Sequence, residues 1–209
     1  MALENLYSLT EKEIASLYKE VAQSFESHPL FTLVFQNIKT RQRLMEIYFK
    51  EYIRAIAPYC TFYADSIQQN CVMIVFDSRK YHKVSYFFRI MRMCIKMTKM
   101  IFIDPSSFIQ LVKNWDVFTS RWLQDFTQGA YLHLDLLYTK EAYRKQGLAT
   151  KMMLELIRDA QELGINITME THDEKCLSFY EQFGFTLMNT ISHPSYPLRQ
   201  YCLIMINKE

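Results

Sequence analysis

Glycine is scarce, with four in 209 residues, where ordinary usage of ~7% gives about fifteen. That excludes glycine-rich linkers and marks each remaining glycine as a place where the backbone needs freedom that a side chain denies. Five cysteines (Cys60, Cys71, Cys94, Cys176, Cys202) are scattered, odd in number and never in C-x-x-C spacing. Neither a zinc site nor a disulfide framework fits that pattern, so no metal is expected and the thiols read as reduced and mostly buried. No charge sign dominates, because 24 basic side chains face 22 acidic ones and leave +2. Nothing here makes a whole-molecule field that gathers nucleic acid or a membrane, so an anionic ligand has to be captured locally. No uncharged apolar run reaches the ~18 residues that span a bilayer. The opening MALENLYSLTEKE has neither the basic nor the apolar segment of a secretion signal, so the expected location is cytoplasmic.

What is present is an ordinary globular balance. Half of the residues are hydrophobic and 22% are charged, enough for a core and unlike a fibrous or disordered chain. Thr10 and Glu13 form a capping box ahead of Ile14, Leu17, Tyr18, Val21 and Phe25, which predicts a first helix packing one face on a sheet. A second helix is expected from Arg41 to Ala57, stopped by Pro58, followed by β-rich runs at Tyr59 to Ala64 and Val72 to Phe76. Ser85 to Ile101 reads as a helix with Arg89, Arg92, Lys96 and Lys99 on one stripe and Phe87, Ile90, Met91, Cys94 and Met97 largely elsewhere. The stripe reads as a solvated face, with an anionic substrate or a membrane surface as the alternatives. Asp104 and Pro105 cap and open a further helix carrying Phe108, Leu111, Val112, Trp115 and Trp122.

Beyond Gly129 the period changes to two. Leu132, Leu134, Leu136 and Tyr138 fall on one face of a strand, with His133 and Asp135 on the other. An amphipathic helix with Leu148, Met152, Leu156 and Ala160 follows and closes at Gly164, and Ile165 to Glu170 alternates as a second strand. Strand, helix, strand implies a parallel crossover. A short helix with Cys176, Phe179, Tyr180 and Phe183 ends at Gly184, and strands Phe185 to Ile191 and Tyr201 to Ile206 complete the chain. The expected class is α+β, of the α/β three-layer type: a mixed, mostly antiparallel sheet around one parallel unit, with helices on both faces.

Chemistry concentrates in Tyr143-Arg144-Lys145-Gln146-Gly147-Leu148-Ala149-Thr150, between a strand and the helix it feeds. Arg144-x-x-Gly147-x-Ala149 sets small residues where backbone approaches a ligand and leaves the first N–H groups of the helix facing outward, a cradle for a diphosphate. Dipole attraction there contributes ~0.3–1 kcal/mol, and charge-assisted bonds from Arg144 or Lys145 ~1.5–3 each. The spacings of a Walker loop and of a dinucleotide-binding loop are both missing. The competing interpretation of Gly147 and Ala149 is tight helix-to-strand packing.

The order Leu134-Asp135-Leu136-Leu137, this loop, the helix and strand, then Phe179-Tyr180-Glu181-Gln182-Phe183-Gly184-Phe185, resembles the GNAT superfamily of N-acetyltransferases from Tyr131 onward. The resemblance implies that the loop grips the pyrophosphate of acetyl-CoA as co-substrate and that Leu137, Tyr138 and Thr139 offer backbone to the pantetheine arm from a splayed strand edge. It further implies that Tyr180 lies near the thioester. Thr139, Glu141, Ala149 and Asp173 depart from the residues most usual in the family at their positions. Residues 1–209 are expected to form one acetyltransferase domain, with 1–126 as the substrate-side half and 127–209 as the acetyl-CoA-binding half.

The implied reaction is attack by a neutral amine, and at pH 7 deprotonating an alkylamine costs ~4.6 kcal/mol. His133 or Asp135, ~7 Å apart along the same face, is the expected base, with Asp135 otherwise orienting the histidine or binding a cationic substrate, and Glu170 is held in reserve. Tyr180 is the expected acid for the departing thiolate. His28, His82, His172 and Cys176 read as structural or surface groups. The expected acceptor is a small-molecule or peptide amine, with no nucleic acid and no membrane as partner and a homodimer left open. The alternative function is a catalytically silent acyl-CoA sensor of the same fold.

Overall fold

The computed structural model describes residues 5–126, 129–192 and 198–207. In chain order its elements are β1 (Tyr7–Ser8), α1 (Glu11–Ser16), α2 (Tyr18–Ser24), α3 (Pro29–Val34), α4 (Ile38–Ile56), β2 (Cys60–Ala64), β3 (Cys71–Asp77) and α5 (Lys83–Met97). They continue with α6 (Pro105–Lys113), α7 (Leu123–Phe126), β4 (Tyr131–Thr139), α8 (Leu148–Leu163), β5 (Asn166–Thr171), α9 (Leu177–Glu181), β6 (Thr186–Ser192) and β7 (Arg199–Met205). Short 3-10 turns link several of them. Two units result: a sheet unit of the residues up to Leu9, Tyr59–Lys80 and the chain from Arg121, and a helical unit of Thr10–Pro58 and Tyr81–Ser120.

In the sheet unit seven strands run in the order β1-β2-β3-β4-β5-β7-β6. Among the described residues only β4 and β5 pair in parallel, joined by α8 as the strand-helix-strand pattern predicts. On one face Met152, Met153, Leu156 and Ala160 of α8 pack on Leu132, Leu134, Ile167, Met169 and Leu203. On the other, Trp122 and Leu123 pack on Tyr131, Cys202 and Ile204. Helices therefore cover both faces, as expected.

One irregularity corrects the sequence reading of β4. Pairing passes from Val75↔Leu134 to Ile74↔Leu136, leaving Asp135 as the extra residue of a β-bulge. An inserted residue reverses the alternation. Leu132 and Leu134 face α8, but beyond the bulge Leu137 packs against that core, and Leu136 and Tyr138 are buried on the opposite face. The four apolar side chains thus do not share one face.

In the helical unit, the expected first helix is interrupted at Leu17, and α1 and α2 pack along α4 instead of on a sheet. The capping box of Thr10 and Glu13 is present. Phe25, Phe31, Tyr48, Phe49 and Phe118 stack into an aromatic core beside α4. The helix opened by Pro105 ends at Lys113 rather than running on to Trp122, because Asn114 folds back and donates to the Gln110 carbonyl at 2.7 Å.

Asp104 ties two helices together. Its carboxylate accepts from Ser106 N at 3.1 Å and Ser107 N at 3.2 Å as the cap of α6, and from the Thr40 hydroxyl of α4 at 3.0 Å. The Ser106 hydroxyl, then the Ser107 amide, outweigh burial and hold this carboxyl well below the usual carboxylate range. Asp104→Ala is expected to lose about 2 kcal/mol at neutral pH, read as a lowered Tm. Because the folded pKa is depressed, that contribution is full above the unfolded value near ~4 and is lost as pH falls below it, so wild type and variant converge in acid.

Candidate active site

After Leu134 the sheet opens. Parallel pairing of β4 with β5 runs from Tyr131↔Asn166 to Leu134↔Met169 and stops, while β5 stays with β7 as far as Thr171↔Tyr201. Strand β4 stays with β3 as far as Cys71↔Thr139, so β4 and β5 part company beyond Leu134. Leu137 is half-buried against the core, Tyr138 is buried, and the Thr139 hydroxyl donates to Cys71 Sγ at 3.2 Å, so these residues offer backbone rather than side chain.

The loop that follows is anchored to the end of β4. Arg144 Nε donates to the Thr139 carbonyl at 3.2 Å, and Gln146 Nε2 to the Ala142 carbonyl at 3.2 Å. Lys145 and Gly147 hold positive φ, +61° and +79°, and Gly147 is the N-cap of α8 with no side-chain cap. The first bond onto it is Lys151 N to the Gly147 carbonyl. The N–H groups of Leu148, Ala149 and Thr150 have no partner inside the helix and are left for a ligand or solvent.

A Cβ on Gly147 meets nothing within 4 Å, so tight packing does not explain this glycine; its φ does. Ala149 differs, because its methyl packs partly against the sheet core. The packing interpretation therefore holds for the alanine and fails for the glycine. Arg144, Lys145, Gln146, Gly147 and Thr150 are all exposed.

Tyr180 of α9 is 9% exposed, packed edge-on against Phe179 and Phe185 with ring centroids 5.1 and 6.0 Å away. Burial, then the nearby Cys176 and Cys71 thiols, raise its phenol well above the ordinary range, so it stays protonated at neutral pH. Cys71 lies opposite Thr139 on one side of the opening and Cys176 follows β5 on the other. Among the described residues the Tyr180 hydroxyl has no hydrogen-bond partner.

The candidate bases lie on the other face of the sheet. His133 is 6% exposed rather than solvent-facing, and its Nδ1 shares a 2.9 Å hydrogen bond with the Thr168 hydroxyl of β5. Asp135 is half-buried in the bulge, near enough to Cys60 that its charge, after burial, raises that thiol. Glu170 accepts from Trp122 Nε1 at 2.5 Å. His133 and Asp135 are thus not a regular pair spaced along one strand face, because the bulge intervenes. Sequence reasoning missed Thr168 and Trp122 as partners. Thr168 does stand out as a polar residue between Ile167 and Met169, but its pairing with residue 133 is set by strand register.

Residues 92–185 match the acetyltransferase (GNAT) family model. That stretch is a little under half of the chain, and the fold is similar to that of solved acetyltransferases over nearly the full length. A histone acetyltransferase HPA2-related acetyltransferase from Corynebacterium glutamicum aligns at TM-score 0.64 and 13% identity, covering 98% of this chain and 97% of that one. Arylalkylamine N-acetyltransferase 2 from Aedes aegypti aligns at 0.58 and 11%, covering 97% and 98%. NAA60 from Arabidopsis thaliana, in complex with acetyl-CoA, aligns at 0.50 and 8%, covering 95% and 96%. At these identities the likeness is one of fold. No curated protein sequence matches the chain.

Proposed function

We propose that this chain transfers an acetyl group from acetyl-CoA to a primary amine by direct attack in a ternary complex. The observation that carries the reading is the parting of β4 and β5 after Leu134 beside an uncapped helix start, with Arg144 bonded to the last β4 residue between them. The family match and a neighbour holding acetyl-CoA support the same reading. The free N–H groups of Leu148, Ala149 and Thr150, with Arg144 and Lys145 around Gln146 and Gly147, fit a diphosphate. Leu137, Tyr138 and Thr139 fit the amides of an extended pantetheine arm. Acetyl-CoA supplies the activated thioester carbonyl.

In this reading residues 127–209 hold the co-substrate and residues 1–126 serve the acceptor, within one acetyltransferase domain. His133 or Asp135 takes the amine proton, directly or through water, and Tyr180 gives its phenolic proton to the departing thiolate. The acceptor class, a small-molecule or peptide amine, has parallels in an arylalkylamine N-acetyltransferase among the neighbours. Thiol release with acetyl-CoA and a mixed amine panel tests this reading, and turnover with at least one amine is the expected result. His133→Gln and Asp135→Asn then assign the base: the true base variant loses ~10²-fold in kcat with CoA affinity unchanged, while the other keeps most of its kcat. One observation favours the silent-sensor alternative, namely that His133 is buried and already held by Thr168. Tight acetyl-CoA binding with no turnover on any amine would decide for it.

A further inference from the structure

Helix α5 of the helical unit has three kinds of side. Met93 and Met97, with Tyr86 and Ile90 less deeply, make the seam that packs inward toward α4. On the opposite side, at helical spacing, Val84, Phe87, Phe88, Met91 and Ile95 stand in solvent, Phe88 at 66% and Ile95 at 64% exposure. From Val84 to Ile95 that ridge extends for about 17 Å. Phe102, just beyond the helix, is 91% exposed and adds to the apolar surface. Isolated exposed apolar residues are ordinary, but a contiguous ridge is not.

A basic flank runs beside the ridge. Arg89, Arg92, Lys96 and Lys99 join Lys50 and Arg54 of α4 around a cleft of about 930 Å³ whose only lining acid is Glu51. That carboxylate is already engaged by Lys99 at 3.2 Å and Arg54 at 3.6 Å. The cleft walls are thus five charges positive in a chain whose whole net charge is +2.

We propose that α5 docks this protein on the surface of an anionic phospholipid bilayer, the apolar ridge entering the headgroup boundary and the basic cleft taking lipid phosphates. A free soluble anion accounts for the cleft and leaves the ridge exposed to water. A second copy of the chain would cover the ridge but bring no negative charge to the basic cleft. An anionic lipid surface satisfies both features, since it conforms to a convex apolar ridge and matches the adjacent charge. No described helix is long and apolar enough to cross a membrane, so the contact is peripheral. The proposal departs from the expectation of no membrane partner, because the sequence pattern did not separate the inward apolar seam of α5 from the outward ridge.

The test is co-sedimentation of the full chain with vesicles of phosphatidylcholine alone or mixed with phosphatidylglycerol. Binding is expected on the anionic vesicles at ~0.1 M salt, falling as salt shortens the screening length, and not on the neutral ones. Arg92→Glu with Lys96→Glu should lower the partition coefficient by about thirtyfold or more, and Phe87→Ser with Phe88→Ser by about tenfold. All four positions are exposed, so unchanged circular-dichroism melts are expected and separate lost docking from lost folding. Failure of wild type to bind anionic vesicles overturns the proposal. So does vesicle binding untouched by the Phe87 and Phe88 changes, which indicates a headgroup-only anion site. Concentration-dependent self-association abolished by those same changes, or an acidic protein competing for the ridge while vesicles do not, also overturns it.

Discussion

Gly147→Val is expected to raise the Kd for CoA by several hundredfold, measured by calorimetric titration. Gly147 sits at φ +79°, a conformation that a β-branched residue resists, and it is the cap from which the free N–H groups of α8 fan out. Displacing that turn removes two or more charge-assisted hydrogen bonds to a diphosphate at once, together worth about 3–4 kcal/mol. The strain itself costs folding about 1–2 kcal/mol, so the loss of binding should exceed the loss of stability. Arg144→Ala removes one cationic contact and should weaken CoA by about tenfold to a hundredfold, with less salt dependence than wild type. CoA binding to the Gly147→Val protein within threefold of wild type would refute the proposed cradle.

Tyr180→Phe is expected to lower kcat by ~10²–10³-fold while leaving CoA affinity within about threefold. The ring stays packed against Phe179 and Phe185, and the hydroxyl has no hydrogen bond to lose among the described residues, so the melting temperature should barely move. The direction of its pKa shift matters as well. Burial keeps the phenol protonated through neutral and mildly alkaline pH, so Tyr180 remains a donor there and contributes no alkaline limb to the rate profile in that range. A kcat within fivefold of wild type would remove Tyr180 from the chemistry. The silent-sensor alternative separates on the same protein, because it allows normal CoA binding with no turnover to lose.

Much of the fold was legible because its signals are local. The capping box at Thr10, the cap of Asp104 ahead of Pro105, the left-handed Gly164 closing α8 and the strand-helix-strand order from Tyr131 depend on groups a few residues apart. The proposed diphosphate loop is legible for the same reason: a turn without a capping side chain followed by a helix start is written in consecutive residues. Other features were not legible. The first helix is broken at Leu17, and the α6 helix stops at Asn114 through a side-chain bond to Gln110, details that an apolar repeat does not carry.

What the sequence alone determined is therefore the order of strands and helices from Tyr131 onward, the placement of Arg144 to Thr150 at a helix start and the presence of an ionisable residue at 133 and 135. Only the tertiary structure decided which way those side chains face. The bulge at Asp135 exists because β4 pairs with a strand some sixty residues earlier in a register shifted by one, Ile74↔Leu136 against Val75↔Leu134. The opening exists because β5 follows β7 instead of β4 past Met169. Both are outcomes of pairing between distant segments, and period-two or helical spacing within one segment holds no record of its partner's register. The same holds for α5, whose apolar residues divide into a packed seam and an exposed ridge only once α4 takes one side.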